Sequence, residues 1–362
     1  MRITRRKLVP ATAGMAIAAL AAPALAQSDP KLKWRLTCSY PKSLDTLFGG
    51  VQTVCRVVSE LTDGNFELQP FAAGEIVPGL QVLDAVQNGT VEAGYTYMGY
   101  YIGKSPAVIF DASLPFGLTP RMHNAWMSYG DGRKLMDEVY DSFGVVAMPS
   151  GQTGGQMFGW FRKELKTPAD FQGLKMRTAG FGGKVMAKLG AVPQQIAGGD
   201  IYPALERGTI DACEWVGPYD DEKLGFSKVA KYYYTPGVME LEAINVVMVS
   251  KKNWEALPKR YQAALRYASA YAMQDMLASY DAKNALAIAR LVASGTQLSV
   301  LPEEIIKALR VALETVLDEE AANDAQFKKI LANWREFRAS QHRWFSIADA
   351  RAENAVYRTD PR

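Results

Sequence analysis

Arg177 is the residue whose type and position point most directly to binding chemistry. It ends a short apolar run that contains Leu174 and Met176, and a glycine-rich segment, 180–183, that we expect to be flexible follows it. In α/β folds the carboxyl ends of strands border the ligand crevice, where a guanidinium can bind a carboxylate through two parallel hydrogen bonds. An arginine in a surface salt bridge would leave the same pattern in the sequence.

A second candidate, the pair Glu214-Trp215, follows a nine-residue segment that occurs twice. Residues 85–93 read AVQNGTVEA and residues 204–212 read ALERGTIDA. Each copy reads as the end of a helix, a glycine suited to a left-handed C-cap and a β-branched strand start. The repeat indicates two α/β lobes of related architecture, although convergence on a common turn would also produce it. Without further information, Glu214 and Trp215 fit a solvated strand edge equally well.

Tyr100 follows the strand that comes after the turn of the first copy, where a residue of the crevice belongs. We interpret it as a hydrogen-bond donor to a bound molecule and its neighbour Tyr101 as a packing residue. Aromatic pairs are more often part of a core, which is the alternative for both tyrosines.

The few cysteines and histidines of the chain argue against a disulfide scaffold and against a zinc site. Cys38, Cys55 and Cys213 are an odd number of widely spaced cysteines, so we expect buried free thiols, with one bridge as the alternative. The two histidines stand in unrelated contexts, and a His/Cys zinc site would need a cluster. We interpret His123 as a surface residue at a helix start and His342 as part of a later helix.

The charge balance argues against a nucleic-acid-binding body. The 362 residues contain 41 Lys and Arg against 38 Asp and Glu, and four of these bases lie within the first seven residues. The remainder has 37 bases against 38 acids, so it has no basic surplus to neutralise phosphates. A local basic patch remains compatible with this balance.

The N-terminus reads as a secretory signal peptide, residues 1–26. A basic start containing Arg5-Arg6 precedes the apolar stretch Leu8–Leu20, and Ala24-Leu25-Ala26 fits a small-residue cleavage site. The adjacent arginines are also found in twin-arginine export signals, and an uncleaved anchor is the alternative. No later stretch approaches 18 apolar residues, which predicts a soluble, exported mature protein.

The elements that would position the candidate residues alternate between strand and helix. Strands are predicted at 34–38, 66–68 and 91–97, and helices at 47–61 and 80–87, with Asp63-Gly64 ending the first helix. This alternation favours α/β units on a mostly parallel sheet.

The second half of the sequence is predominantly helical. A stretch from 254 to 293 has few breakers beyond Pro258, and Phe327, Ile330, Leu331, Trp334 and Phe337 form an apolar stripe near the C-terminus. We expect the stripe to pack on its own chain, with a partner surface as the alternative.

An exported two-lobed α/β protein of this kind suggests a solute-binding protein that closes on its ligand. The stretches 73–94 and 167–218 then resemble the extracytoplasmic solute receptors of tripartite ATP-independent periplasmic (TRAP) transporters. Three motifs carry the likeness in the second stretch: GLKMR at 173–177, LGAVP at 189–193 and ALERGTID at 204–211. The resemblance covers essentially the whole mature chain.

Within that family, the sequence resembles the α-keto acid-binding branch most, through PQQIAGGD at 193–200 and EWVGPYDDEK at 214–223. The resemblance implies that Arg177 binds the ligand carboxylate. It further implies that Glu214, the Trp215 backbone carbonyl and Glu240 hold a metal ion, with the Gln156 amide oxygen shared between metal and ligand. Trp215 would also contact the ligand, and Tyr100 would contact it from the other lobe.

Charge supports such a metal, because two glutamates and a ligand carboxylate would otherwise surround one guanidinium. Oxygen ligands favour a hard ion such as Na⁺ or Ca²⁺ over a transition metal. Charge counting leaves a net charge of about −1 with Na⁺ and 0 with Ca²⁺, so it allows either, and the resemblance favours sodium.

The resulting prediction is a two-lobed periplasmic binding protein fold with a cleft between the lobes, a long connecting helix and a helical C-terminal tail. The first lobe would comprise residues 27–150 and roughly 240–283, and the second 151–239 and roughly 284–320. The last segment, 321–362, would be helical and could exchange between the protomers of a homodimer.

The predicted function is to bind a small 2-oxo monocarboxylate, such as pyruvate or 2-oxobutyrate, and deliver it to TRAP membrane permease subunits. A receptor for a 2-hydroxy acid such as lactate is the alternative. An exported enzyme using Glu214 and Glu240 as acid and base is poorly supported, because the sequence has no nucleophile paired with a base and no cofactor motif. A scaffold without a ligand is weaker still.

Overall fold

Two β-sheets organise residues 29–360, which are the residues that the computed structural model describes. The predicted signal peptide, residues 1–26, lies outside them. The N-terminal part of the first lobe contains β1 (Leu32–Cys38), α1 (Leu47–Leu61), β2 (Phe66–Phe71), α2 (Val82–Gln87), β3 (Ala93–Tyr97), α3 (Pro120–Tyr129), α4 (Gly132–Ser142) and β4 (Val145–Gln152). Two 3₁₀ helices, Met98–Tyr101 and Pro106–Asp111, lie between β3 and α3.

The second lobe follows directly along the chain. It contains β5 (Gly159–Phe161), a 3₁₀ turn (Pro168–Phe171), β6 (Lys175–Arg177), α5 (Gly180–Lys188), β7 (Val192–Gln194), α6 (Gly198–Glu206), β8 (Ala212–Cys213), α7 (Pro218–Leu224), a second 3₁₀ turn (Phe226–Lys228) and β9 (Tyr232–Thr235). The chain then returns through β10 (Ile244–Ser250), α8 (Lys251–Ala256), α9 (Lys259–Ala293), β11 (Gln297–Val300), α10 (Glu303–Asn323), α11 (Ala325–Ile347) and α12 (Asp349–Thr359).

The two sheets share one arrangement of three strands. The first sheet has the order β2-β1-β3-β10-β4 and the second β11-β9-β5-β8-β6-β7, so β2-β1-β3 corresponds to β7-β6-β8. The strands within each of these triplets are parallel. Each triplet is connected through two helices, α1 and α2 in one lobe and α5 and α6 in the other.

The repeated segment occupies equivalent places in these triplets. Gly89 and Gly208 both have a positive φ, 70° and 73°, where each helix turns toward its next strand. The acid of each copy accepts a hydrogen bond from the backbone N–H of the neighbouring strand: Glu92 from Arg35 at 2.8 Å, and Asp211 from Lys175 at 3.1 Å. The repeat therefore marks the same turn in two lobes of related architecture.

The prediction of a mostly parallel sheet is confirmed for the described residues, because four of the five strands of the first sheet and five of the six strands of the second run in one direction. Each sheet also contains one antiparallel strand. Strand β10 runs antiparallel to β3 and β4, and β5 runs antiparallel to β8 and β9. The physical reason lies in the crossings between the lobes. A chain that returns from the other lobe enters the sheet at the cleft, where the parallel strands end, so β10 runs against them.

Three connections join the lobes. Residues 153–158 connect β4 to β5, and residues 236–243 connect β9 to β10. These two segments pair with each other, because the Thr153 N–H donates to the Ala243 carbonyl at 3.1 Å and the Ala243 N–H donates to Thr153 Oγ1 at 2.8 Å. The third connection is α9, whose 35 residues pack on α1 and β4 of the first lobe and α7 of the second.

Pro258 divides the long helical stretch that the sequence predicts. Helix α8 ends before it and α9 begins immediately after it, where a proline with no N–H to lose is well tolerated. One face of α9 is buried along its length, including Tyr261, Leu265, Ala272 and Tyr280.

The apolar stripe of the C-terminal region packs on its own chain, as expected. The Phe327 ring lies 4.9 Å from that of Phe110 in the first lobe and 5.8 Å from that of Phe181 in the second. Beyond this stripe, helix α12 has no buried residue. The three cysteines are buried and unbridged, which confirms the expectation of free thiols.

Candidate functional site

A cleft of about 310 Å³ lies between the two sheets, near the middle of the molecule. Residues from the first lobe, the second lobe and the connections between them line it: Tyr40, Leu47, Tyr97, Tyr100, Thr153, Arg177, Ala179, Glu214, Trp215, Val216, Glu240, Ala243 and Asn245. Five of the six predicted site residues are in this set. The sixth, Gln156, contacts two of them through its amide.

Strand ends bring the charged residues together. Arg177 is the last residue of β6, and its register partner Cys213 is the last of β8, so Glu214 follows beside it. The Glu214 backbone N–H donates to the Arg177 carbonyl at 3.1 Å. In the first lobe, Tyr97 ends β3 and Tyr40 follows β1. Carboxyl ends of parallel strands from both lobes thus face one crevice, as α/β folds commonly arrange them.

The Arg177 guanidinium is fixed by its own lobe. It is 1% exposed, its Nε donates to the Ile196 carbonyl at 3.3 Å, and its Nη1 donates to Glu214 Oε2 at 3.0 Å and to the Glu214 carbonyl. The Trp215 ring lies 4.7 Å from the guanidinium carbon, a cation–π contact. Among the described residues, Nη2 has no protein acceptor. The group therefore has one nitrogen available to a ligand rather than the two-nitrogen edge expected from the sequence.

The side-chain amide of Gln156 lies close to two oxygen atoms of the cleft, one from Glu240 and one from Trp215. The cleft-facing end of the Gln156 amide lies 3.2 Å from Glu240 Oε2 and 3.3 Å from the Trp215 carbonyl oxygen. Its other end lies 3.0 Å from Thr153 Oγ1. If the amide oxygen faces the cleft, three oxygens converge, and a cation among them would offset their repulsion. If the amide is turned over, its nitrogen donates to the other two oxygens instead.

The hydrogen bonds of the Thr153 hydroxyl are compatible with the orientation of the Gln156 amide that brings the three oxygens together. In that orientation its hydroxyl donates to the Gly154 carbonyl and accepts from the Ala243 N–H and from Gln156 Nε2. For a hard cation with oxygen ligands at about 2.4 Å, adjacent ligands of an octahedron lie roughly 3.4 Å apart. The observed separations therefore fit a cation such as Na⁺ or Ca²⁺.

Electrostatics also favour additional positive charge here. Burial raises the pKa of Glu214, although Arg177 opposes this. Burial, followed by the charge of Glu214, raises the pKa of Glu240 well above its usual range. Tyr97 donates a hydrogen bond to Glu240 Oε1 at 2.9 Å. Two buried carboxylates thus share one guanidinium, an arrangement that a further cation would stabilise.

The two tyrosines after β3 have different environments. Tyr101 packs in the first lobe, where its hydroxyl accepts from the Leu83 backbone N–H at 3.2 Å. Tyr100 lines the cleft, and its hydroxyl has no hydrogen-bond partner among the protein groups described. This placement leaves Tyr100 Oη available to a ligand.

The expectation of a flexible glycine segment after Arg177 is wrong. Residues 180–183 form the start of helix α5 and are buried. Small residues are needed because the backbone closely approaches other groups: a Cβ on Gly180 would lie 3.0 Å from Tyr97 Oη, and one on Gly183 would lie 3.3 Å from Pro193 Cβ. Gly180 also has a φ of 59°. These glycines therefore permit close packing at the start of α5.

The interpretation of His123 as a surface residue is wrong as well. Its side chain is buried between Asp111 and Glu242, whose carboxylates compensate for the burial of the imidazole. His342 lies in α11, as predicted, and its Nε2 is 3.2 Å from the Gly117 carbonyl oxygen.

Sequence reasoning missed Tyr40, Thr153 and Asn245 in the cleft. Tyr40 could have been predicted, since it follows the predicted first strand at its carboxyl end. Asn245 could not, because its position opposite Tyr97 depends on β10 being antiparallel. The Tyr40 hydroxyl donates to Asn245 Oδ1, so these residues form one wall of the cleft.

Other types of site are not supported in the described part of the chain. Residues 29–360 contain no group of three or more His, Cys, Asp and Glu side chains placed to hold a metal. A cation in the cleft would therefore rely on amide and carbonyl oxygens as well as carboxylates. No helix in this range is both long enough and apolar enough to cross a membrane.

Comparison with known proteins places the chain among solute receptors. The family model DctP, bacterial extracellular solute-binding protein, family 7, matches residues 38–324. A monocarboxylate 2-oxoacid-binding periplasmic protein of Nostoc sp. is 48% identical over 325 residues, 90% of this chain and 89% of the relative.

Solved structures are similar over almost the same length. A TRAP transporter solute-binding protein from Bordetella bronchiseptica superposes with a TM-score of 0.90 at 48% identity, covering 91% of this chain and 98% of that one. It is a mixed-occupancy dimer, with copurified calcium and picolinate in one active site and an apo site. A TRAP periplasmic solute-binding protein from Pseudoalteromonas atlantica, with bound sodium and pyruvate, has a TM-score of 0.87 at 35% identity, covering 91% and 100% of the two chains.

Proposed function

The chain belongs to family 7 of the bacterial extracellular solute-binding proteins, and from this premise we propose that it binds a small 2-oxo monocarboxylate such as pyruvate or 2-oxobutyrate. The membership confirms the predicted fold, the extracytoplasmic location and the role of TRAP receptor rather than enzyme. The ligand class, the site residues and the metal are the proposal.

The ligand carboxylate would be bound by Arg177 and Tyr100, from opposite lobes. The free Nη2 of Arg177 supplies a charged donor within a dry site, where such bonds are stronger than in water. The free hydroxyl of Tyr100 supplies a second donor. The bulky side chains of Tyr40, Tyr97, Tyr100 and Trp215 form much of the lining of the cleft, which supports a compact ligand.

A cation would be held by Gln156, the Trp215 carbonyl, Glu240 and Glu214. The position of the Gln156 amide, 3.2 Å from Glu240 Oε2 and 3.3 Å from the Trp215 carbonyl oxygen, is the observation that carries this proposal, because three oxygens meet there when the amide oxygen faces the cleft. When bound, the ion supplies a positive charge that the carboxylate and keto oxygens of a 2-oxo acid can share. A simple carboxylic acid such as propionate has no keto oxygen to contact the ion. The ion would therefore also select for 2-oxo acids.

The identity of the cation follows less directly. With Arg177, two glutamates and a ligand carboxylate, Na⁺ leaves one net negative charge and Ca²⁺ leaves none. The family resemblance favours sodium, whereas the two similar structures contain calcium in one case and sodium in the other. We propose sodium, with calcium as the alternative.

Binding between the lobes would stabilise their closed arrangement, which the permease subunits would recognise. We also propose a homodimer, in which the end of α11 and helix α12 are exchanged between protomers, while the start of α11 stays packed on its own chain. The dimeric structure of the Bordetella relative supports the dimer.

Isothermal calorimetry with pyruvate, 2-oxobutyrate, lactate and propionate tests the ligand class. Each titration is run in sodium chloride, in choline chloride with chelator, and in choline chloride with added calcium. We expect tight binding of the 2-oxo acids only when one of the cations is present, and recovery of the pyruvate unchanged. Tighter binding of lactate would favour the 2-hydroxy acid alternative, and equal binding of propionate would contradict the proposal.

A further inference from the structure

Three ionisable side chains contact one another inside the first lobe, outside the cleft. Asp111, His123 and Glu242 are all buried. Asp111 Oδ1 lies 3.3 Å from His123 Nε2, and Glu242 Oε1 lies 3.5 Å from His123 Nδ1. The imidazole therefore lies between two carboxylates and contacts each through a different ring nitrogen.

Both carboxylates are held by further partners. The Tyr140 hydroxyl donates to Asp111 Oδ2 at 2.6 Å, and Gln152 Nε2 donates to Glu242 Oε2. Burial opposes the charged form of His123, but the charge of Glu242 and the contact with Asp111 outweigh this effect and raise the pKa of the imidazole. Removing one member of such a buried cluster leaves the others uncompensated.

The cluster connects directly to the segment that carries Glu240. Glu242 lies two residues further along the connection 236–243, between β9 and β10. The backbone of this connection is tethered to the first lobe by two hydrogen bonds, from Phe116 N–H to the Val238 carbonyl at 2.8 Å and from Ile244 N–H to the Ala112 carbonyl at 3.0 Å. Between these tethers, the Glu240 side chain accepts a hydrogen bond from Tyr97 at the cleft, and the Glu242 side chain lies beside His123 in the interior of the lobe.

We propose that His123 is a positioning residue for the cation site, acting through Glu242 on Glu240. This inference rests on the proposed function, because it needs Glu240 to be a cation ligand. The imidazole fixes the Glu242 carboxylate, which fixes the backbone on which Glu240 stands. Cation ligands need to be placed within fractions of an ångström, so a loosened connection lowers the affinity for the cation.

The two ring nitrogens allow a matched pair of variants. In His123→Asn, the amide occupies the place of Nδ1 and keeps a contact with Glu242. In His123→Gln, it occupies the place of Nε2 and keeps the contact with Asp111 instead. Both variants lose the charge and half of the contacts, so a purely structural role predicts similar effects. Glu242→Gln, which keeps the side-chain size, is the second route if neither histidine variant folds.

Calorimetry gives the concentration of CaCl₂ or NaCl needed for half-maximal pyruvate binding. Hydrogen exchange of the amides in 237–243, measured with chelator and without ligand, gives an independent readout. We expect His123→Gln and Glu242→Gln to need at least tenfold more cation and to exchange at least tenfold faster. His123→Asn should remain within threefold of the unmodified protein in both measurements.

The inference would be overturned if His123→Gln and His123→Asn required the same concentration of cation. It would also be overturned if the loss of cation affinity among the variants followed only their loss of thermal stability. If the unmodified protein binds pyruvate with a cation and His123→Gln does so equally well, only this inference fails. If the unmodified protein binds neither pyruvate nor a cation, the proposed function fails, and the inference fails with it.

Discussion

Gln195 and Tyr100 are joined across the cleft by a hydrogen bond of 3.0 Å, from the glutamine amide nitrogen to the tyrosine backbone carbonyl. Gln195 follows β7 of the second lobe, and Tyr100 belongs to the 3₁₀ helix after β3 of the first. A second contact between the lobes has the Tyr219 hydroxyl donating to Asp45 at 2.9 Å. Both bonds link the two lobes, so they stabilise this closed arrangement over one in which the lobes have moved apart.

Gln195→Ala should therefore destabilise the closed arrangement without affecting the fold of either lobe. Losing one neutral hydrogen bond costs about 0.5–1.5 kcal/mol, which corresponds to a two- to tenfold weaker affinity for pyruvate. We expect most of this loss in the dissociation rate, measured by stopped-flow tryptophan fluorescence. Gln194→Ala is the control, because the Gln194 side chain has no hydrogen bond to a described residue. An unchanged dissociation rate for Gln195→Ala would contradict the prediction.

Local signals in the sequence predicted most of the first lobe. The periodic apolar positions of α1 and the stop at Asp63-Gly64 correspond to a helix that ends at Leu61. Strand direction could not be predicted in the same way. The antiparallel direction of β10 depends on the returning chain reaching the carboxyl ends of the parallel strands, a long-range property that no local pattern contains.

The candidate site was predictable to a similar extent. Arg177 follows from the rule that strand ends border a crevice. The repeated turn placed Glu214 at a strand end too, but a solvated edge fitted it equally well until the family resemblance assigned it to the site. Gln156 and Glu240 lie in irregular connections, where the type of residue carries no positional signal, so only the family resemblance pointed to them. His123 was placed on the surface because its burial depends on Asp111 and Glu242, which come from distant parts of the chain.

Arg177→Lys should weaken 2-oxo acid binding by well over tenfold. The ammonium group of lysine is a point charge, and it cannot keep the bonds to Ile196 and Glu214 while donating to a ligand. A charged hydrogen bond contributes roughly 1.5–3 kcal/mol, which sets the expected loss in calorimetry. Arg35→Lys, on the exposed part of β1, is the matched control and should bind normally. Near-equal titration curves for Arg177→Lys and the unmodified protein would refute the assignment.

Glu240→Gln should raise the concentration of cation that pyruvate binding requires. The amide keeps an oxygen in place but removes the negative charge that would attract the cation. We expect at least a tenfold loss of affinity for pyruvate in the presence of the preferred cation. Glu67→Gln, at an exposed position of β2, controls for a general effect of charge. An unaltered cation requirement would exclude Glu240 as a ligand.

Stability should depend on pH through Asp221. Burial raises its pKa from 3.8 to about 7 in the folded protein, although its hydrogen bonds from Tyr233 and Trp160 oppose the shift. Between about pH 4 and 7 the folded state thus binds more protons than the unfolded state. The free energy of unfolding must then fall as pH rises, by up to roughly 1.4 kcal/mol per pH unit for one group.

Urea unfolding of the unmodified protein and of Asp221→Asn from pH 4.5 to 7.5 tests this dependence. The difference between the two free energies isolates Asp221 from the other buried acids. We expect the advantage of aspartate over asparagine to shrink as pH rises through this range. A difference that is constant with pH, or that grows, would contradict the assignment.

Helix α12 and the end of α11 should form part of a dimer interface. Trp344, Ile347, Val356 and Tyr357 are between 59% and 63% exposed, although the helices that carry them are well formed. Exposed apolar residues concentrated on one terminal segment mark an interaction surface. Light scattering of the intact mature chain at micromolar concentration should give twice the monomer mass. Truncation after Ile347 should shift the equilibrium toward monomer at an unchanged unfolding temperature of the lobes. A monomeric intact chain would exclude the dimer.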